Sequence, residues 1–213
     1  MLFKDRREAG NRLAAVLAPY RDRQALVLAV PRGGVVVAAP VAASLAAELD
    51  LIIPRKVGLP GNPELAVAAV APDGTVLYNQ PALSAWQLRP EDIRTAIARE
   101  LEEIKRRLAI YRAHKREPEI KGRVVIVIDD GIATGMTIEA ALQSIKKAAP
   151  ASLVLAVPVA PPDTIARLQS RVDHLVCLAT PESFYAVGQF YEKFEQVTDA
   201  EVRNILATAG LGS

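Results

Sequence analysis

Residues Val125 to Thr137 read VIVIDDGIATGMT, and the fold class follows from how this stretch is parsed. A continuous apolar run that stops at two acids is the pattern of a strand buried on both faces of a parallel sheet. Behind Asp129 and Asp130 comes a short loop of small and hydroxyl residues, then a helix on which Ile138, Ala141, Leu142 and Ile145 align. Free N–H groups and the positive end of the helix dipole over Ala133 to Thr137 suit a phosphate. The hydroxyls of Thr134 and Thr137 add donors, and Gly135 permits close approach. Asp129 and Asp130 are acceptors suited to the paired hydroxyls of a ribose, and their charge favours a cationic sugar in a transition state. An isolated acid pair would read better as a metal-binding pair or a solvated strand end; the whole string argues against that.

Working outward, the chain alternates strands and helices. Asp5 and Glu8 have capping-box spacing ahead of a helix that aligns Leu13, Val16 and Leu17. Ala25 to Val30 is a second continuously apolar strand, and it stops at the turn Pro31-Arg32-Gly33-Gly34. An alanine-rich helix spans about Val35 to Glu48, with Pro40 tolerated only near its first turn. A short strand, Leu51 to Pro54, follows. Pro60, Gly61, Asn62 and Pro63 form a loop too rich in breakers for helix or strand, and AVAAV and TVLY around Asp73-Gly74 form a hairpin. Pro90 opens a long helix with Ile93, Ile97, Leu101, Ile104, Leu108 and Tyr111 on one stripe, explained by packing or dimerisation. Strands at Val124 to Ile128, Leu153 to Val157 and His174 to Leu178 alternate with helices around Ile138 to Ala148 and Pro162 to Leu168. The expected class is α/β: a Rossmann-like, mostly parallel five-stranded sheet flanked by helices, with ligand sites at the carboxyl ends of its strands.

The string at Val125 to Thr137 resembles the signature of type I phosphoribosyltransferases: a hydrophobic strand, two acids and a loop ending in T-G-x-T. That resemblance implies one domain over residues 1–213, carrying an inserted flexible hairpin hood and long helix at about 57–117. It implies binding of 5-phosphoribosyl-1-pyrophosphate (PRPP) by Asp129, Asp130, Gly131, Ala133, Thr134, Gly135, Met136 and Thr137, with Asp129 and Asp130 as the catalytic pair. Arg32, Gly33 and Gly34 occupy the place of the family's pyrophosphate loop, where members sometimes hold a cis peptide; a tight turn is the plainer reading. Arg55 and Lys56, ending the preceding strand, match basic pairs that reach the pyrophosphate, or are a solvated pair. Residues 58–64 look like the hood loop, in which Asn62 and Glu64 either contact ligand or cap a turn. TPESFYAVGQFY resembles the base-binding loop of purine enzymes, with Phe184 as the best match for the stacking aromatic and Tyr185 second; both could instead be core. Those enzymes carry an acid a few residues later, where this chain has Phe190 and Tyr191 before Glu192. The implied reaction moves a 5-phosphoribosyl group from PRPP to a nitrogen nucleophile, a nucleobase, with Mg2+ held mainly by PRPP. A homodimer is implied as well.

Composition bounds the alternatives. A formal charge of +2 with 51% hydrophobic and 23% charged residues is that of an ordinary globular chain, without the basic excess of a duplex binder. The basic run from Lys105 to Arg123, which includes His114, reads as a solvated helix face, and no nucleic acid is expected. Cys177 is the only cysteine, so no internal disulfide forms, and its apolar setting predicts a buried thiol. His174, opening an apolar strand, reads as structural. The charged amino terminus and the lack of a run near ~20 apolar residues point to the cytoplasm and away from membranes. Neither G-x-x-x-x-G-K-[ST] nor G-x-G-x-x-G after a strand occurs. Two rivals stand beside the transferase: a regulator that keeps the PRPP pocket without turnover, and a PRPP synthetase, for which the chain is short.

Overall fold

The structure, a computed structural model, describes residues 2–59, 61–112 and 116–209, with backbone only for Pro63 and Glu64. His114 and the side chain of Glu64 therefore lie outside the described residues. Five parallel strands form the main sheet in the order β2-β1-β6-β7-β8. They are β1 (Leu26–Ala29), β2 (Glu48–Leu51), β6 (Val124–Ile128), β7 (Ser152–Val159) and β8 (His174–Ala179). Helices α1 (Arg6–Val16) and α2 (Gly33–Leu45) cover one face; α5 (Met136–Lys147) and α6 (Pro162–Gln169) cover the other. Between β2 and β6 lie β3 (Arg55–Leu59), β4 (Asn62–Val70), β5 (Val76–Tyr78), α3 (Gln80–Ala85) and α4 (Arg94–Arg112). The last element is α7 (Asp199–Ala209).

The reason for the continuous apolar runs is visible in the packing. Val27, Ala29, Ile126, Ile128, Val154 and Ala156 belong to one core cluster, while Leu26, Leu28, Val125, Val127, Leu153 and Leu155 belong to the other. Successive side chains of a strand point to opposite faces, so a sheet covered on both sides needs apolar residues at every position. Parallel register sets Ala29 beside both Leu51 and Ile128. The segments that follow β1 and β6 consequently emerge together.

Several expectations need correction. The second strand is Glu48–Leu51 rather than Leu51 to Pro54, because Ala46 adopts φ 49° and its N–H returns to the carbonyls of Ala42 and Ala43, ending α2 early. Arg55 and Lys56 then begin a new strand instead of terminating the previous one. The breaker-rich run is only partly a loop: Pro60 lies outside the described residues, Gly61 is a turn, and Asn62 and Pro63 lie in β4. Register shifts between Val57 and Leu59 loosen the ladder there, and β5 pairs only with Ala68–Val70, so Pro63 sits where a missing N–H is tolerated. The hairpin at Asp73-Gly74 holds, but as part of a three-stranded antiparallel sheet β3-β4-β5. Pro40 lies well inside α2. A Cβ on Gly10 would meet Pro40 Cγ at 2.6 Å, so that glycine lets α1 sit directly over the proline turn. Ile97, Ile104 and Tyr111 of α4, with Ile93 just before it, are buried within the chain, whereas Leu101 and Leu108 are half-buried. Cys177 is only half-buried.

Candidate active site

Asp129 and Asp130 leave the end of β6 beside the turn that leaves β1, the two being joined by a 2.8 Å bond from Val30 N–H to the Ile128 carbonyl. In that turn the Pro31–Arg32 peptide is cis. Gly33 and Gly34 face the acids at contact distance. A Cβ on Gly33 would overlap Asp130 Oδ2 and lie 2.8 Å from Arg6 Nε. One on Gly34 would lie 2.9 Å from the Ile128 carbonyl oxygen and 3.2 Å from Asp129 Oδ1. Gly34 is required by the approach of two backbones, and Gly33 leaves room for the Asp130 carboxylate and the Arg6 guanidinium.

The two carboxyls interact with each other, and one oxygen of each is anchored further. Asp129 Oδ1 accepts from the N–H of Asp130 at 2.8 Å, and Asp130 Oδ2 accepts from Arg6 Nε at 2.7 Å. Burial, then the adjacent Asp130 charge, push the Asp129 carboxyl well above its ordinary range, while Arg6 pulls the other way. The backbone carbonyl of Asp130 accepts from the Tyr191 hydroxyl at 2.6 Å. Burial and the neighbouring acid raise that phenol far above its usual range.

From Ile132 onward the loop has its carbonyls and amides on different sides. Thr164 Oγ1 donates to the Ala133 carbonyl at 2.8 Å, and Arg167 donates to the Thr134 carbonyl. Arg167 is itself held by the buried Glu139 at 2.5 Å. Gly135 at φ 71° caps α5 without a side-chain acceptor, a backbone conformation that favours glycine. Among the described residues no acceptor meets the N–H groups of Ala133, Thr134 or Gly135. Those of the first turn of α5 are open by helix geometry. Ala133 and Thr134 are exposed, and Met136 and Thr137 half-buried. The result is an anion-binding concavity at a helix amino terminus.

Both arginine candidates are engaged by an acid. Arg32 lies 3.6 Å from Asp199 Oδ1, which also accepts from the Tyr111 hydroxyl at 2.6 Å. That hydroxyl, with help from Arg32, holds Asp199 below the usual carboxylate range, whereas burial and Asp199 push Tyr111 up to about 12. Arg55 pairs with Glu100 of α4 at 2.5 Å, and Lys56 is exposed. Asn62 is exposed at the start of β4.

Residues 181–190 form a loop beyond β8. Phe184 packs on Phe190 with ring centroids 4.9 Å apart, whereas Tyr185 is 90% exposed. Gln189 organises the loop, accepting from the N–H groups of Tyr185 and Ala186 and donating to the Ser183 carbonyl. A Cβ on Gly131 would meet Val187 Cγ1 at 2.5 Å, so this loop rests on the acid-bearing one. Arg6, Tyr191, Asp199 and Glu100 were not legible as site residues. Each reaches its partner across a long sequence separation.

Among the described residues there is no group of three or more His, Cys, Asp or Glu able to hold a metal, and no helix long and apolar enough to cross a membrane. The parallel sheet, the glycine turn and the acid-to-helix loop meet at the carboxyl ends of β1 and β6 on an α/β frame. Residues 6–195 match the phosphoribosyl transferase domain, and the chain belongs to that family. A Mycobacterium tuberculosis (H37Rv) protein provisionally named a phosphoribosyl transferase is 42% identical over 201 residues, 94% of this chain and 45% of the relative. The chain thus spans under half the length of that relative. The crystal structure of TT1426 from Thermus thermophilus superposes with a TM-score of 0.82 at 42% identity, covering 98% of this chain and 99% of that one. Uracil phosphoribosyltransferase of Aquifex aeolicus is 34% identical over 58 residues, 27% of this chain and 28% of its own. The fold is that of the type I phosphoribosyltransferases.

Proposed function

We propose that this chain transfers a 5-phosphoribosyl group from PRPP to a nitrogen nucleophile, a nucleobase, with release of pyrophosphate. The observation that carries the reading is the acid pair and amide-lined loop at the end of β6, set against Gly33 and Gly34. Ala133 to Thr137 hold the 5′-phosphate, with Gly131 setting the close packing of the loop. Asp129 and Asp130 take the ribose hydroxyls on their free oxygens and stabilise positive charge at C1′ as the bond to pyrophosphate breaks. The C1′–N bond forms on the opposite face, pyrophosphate leaves with the bonding pair, and the acceptor nitrogen loses its proton to solvent.

Arg32 and the amides of Gly33 and Gly34 serve the pyrophosphate, with Arg32 exchanging Asp199 for the ligand; Arg55 and Lys56 would reach it from the hood. A Mg2+ ion fits a site with two carboxylates and no third, because this cation keeps several waters and takes its remaining oxygens from diphosphate. It would neutralise the leaving group. On the acceptor side, Tyr185 has the open face that stacking on a base requires, while Phe184 shapes the loop. The homodimer and the cytoplasmic setting belong to the proposal through the family resemblance.

Pyrophosphate release from PRPP and Mg2+, assayed against a panel of purine and pyrimidine bases, tests the reading. Release with one base class is expected. PRPP binding with no release for any acceptor would favour the regulator, and absence of PRPP binding would sink both.

A further inference from the structure

The geometry points to Arg6 as a positioning residue for the ribose-binding acid Asp130, held in place by a clamp formed from residues 2–6 and 190–195. The inference rests on the reading of Asp129 and Asp130 as ribose ligands.

Arg6 is the first residue of α1, where the helix dipole disfavours a cation, and its side chain is only 11% exposed. A guanidinium in such a place needs compensation, and three groups provide it. Its Nε donates to Asp130 Oδ2 at 2.7 Å, its Nη1 donates to the Glu195 carbonyl at 2.8 Å, and its plane lies 3.7 Å from the centre of the Phe194 ring. The neighbouring Arg7 is exposed, so the burial belongs to this position and not to the basic pair as such.

The support is continuous. Phe194 stacks on Tyr191 at 5.1 Å, Tyr191 contacts Phe3 at 5.3 Å, and the Tyr191 hydroxyl holds the Asp130 carbonyl. Backbone bonds zip the two segments together: Phe3 N–H to the Phe190 carbonyl, Glu192 N–H to the Phe3 carbonyl, and Lys193 N–H to the Lys4 carbonyl. Asp130 is thereby fixed twice, through its side chain by Arg6 and through its backbone by Tyr191. Gly33 closes the third side, since any Cβ there would overlap the same carboxylate oxygen.

The consequence is directional. Tying Oδ2 to Arg6 restrains rotation of the carboxylate, and leaves Oδ1, which receives no donor from a described residue outside the acid pair, as the oxygen for a ribose hydroxyl. The 190–195 half of the clamp begins where the loop carrying Tyr185 ends, so the support under Arg6 is continuous in chain with the loop proposed to frame the acceptor.

Calorimetric titration with inorganic phosphate and with ribose 5-phosphate separates this role from a structural one. Phosphate probes the amide loop alone; ribose 5-phosphate adds the acids. Arg6→Gln should weaken ribose 5-phosphate by roughly tenfold, the loss of one charge-assisted hydrogen bond, and leave phosphate affinity within twofold, with Arg6→Lys restoring part of the difference. Phe194→Leu, which removes the ring under the guanidinium but keeps its volume apolar, should give a smaller loss of the same selective kind. Equal weakening of both ligands by Arg6→Gln and Phe194→Leu would reduce Arg6 to a structural ion pair and overturn the proposal, as would unchanged binding of both. Wild-type protein that binds phosphate but gains nothing from the ribose would overturn the reading of the acids themselves, and the role of Arg6 with it.

Discussion

The donor and acceptor sides of this site are built in different ways. The donor side sets the Asp129 and Asp130 carboxylates in a frame of backbone: two glycines after β1, an αL glycine before α5, and open amides in a loop whose carbonyls are held by Thr164 and Arg167. The acceptor side consists of side chains on one loop beyond β8, with a packed Phe184 and an exposed Tyr185 held by Gln189. Backbone sites depend on a few residues with special φ and ψ or no Cβ, and tolerate little change. A side-chain loop can vary its contacts without disturbing the sheet beneath it.

The largest effect that would break this contrast is expected at Gly33. Gly33→Ala places a methyl group onto Asp130 Oδ2, and displacing the carboxylate should cost ~1–3 kcal/mol, or roughly 5–150-fold in PRPP affinity, read by calorimetry. Wild-type affinity in that variant would show that the close approach is incidental. On the acceptor side, Tyr185→Ala should raise the KM for the base by about tenfold while PRPP affinity stays constant, since one stacked ring contributes ~1–3 kcal/mol. Phe184→Ala should instead lower the melting temperature, because that ring is packed on Phe190. If the two variants exchanged these phenotypes, the assignment of roles within the loop would be reversed.

A smaller effect sharpens the view that the acids serve binding at the expense of stability. Burial and Asp130 raise the Asp129 carboxyl in the folded state, so the folded protein holds this proton more tightly than the unfolded chain does. The destabilising contribution is absent below the unfolded value and grows as pH rises from there through the raised folded one. Asp129→Asn should therefore raise Tm by a few degrees at pH 8 and have little effect at pH 4, followed by calorimetric melting. A variant less stable than wild type at pH 8 would show that the carboxylate is well accommodated.

The same division explains what the sequence revealed. The core strands β6, β7 and β8 are legible to within a residue or two, because burial on both faces leaves uninterrupted apolar runs. The phosphate loop is legible for the same local reason: acids, small residues and a helix start follow one another in thirteen positions of chain. The hood misleads where composition and context disagree. Asn62-Pro63 carries turn residues, yet an unpaired edge of β4 accommodates them. Early closure of α2 at Ala46 is equally hidden, since alanine in a left-handed conformation has no sequence signature. The partners of the charged residues are the least accessible. Arg6 meets Asp130 across 124 positions, and Tyr111 meets Asp199 across 88. Such pairings depend on how helices and termini return over the sheet, and nothing local encodes them.

The central claim is that the acid pair and amide loop form a PRPP site, and titration of PRPP with Mg2+ into wild type and into the Asp129→Asn/Asp130→Asn double variant tests it most directly. Saturable binding by wild type, weakened by roughly 100-fold or more in a double variant that melts cooperatively, is the predicted result. Equal affinity in the two proteins would contradict the assignment.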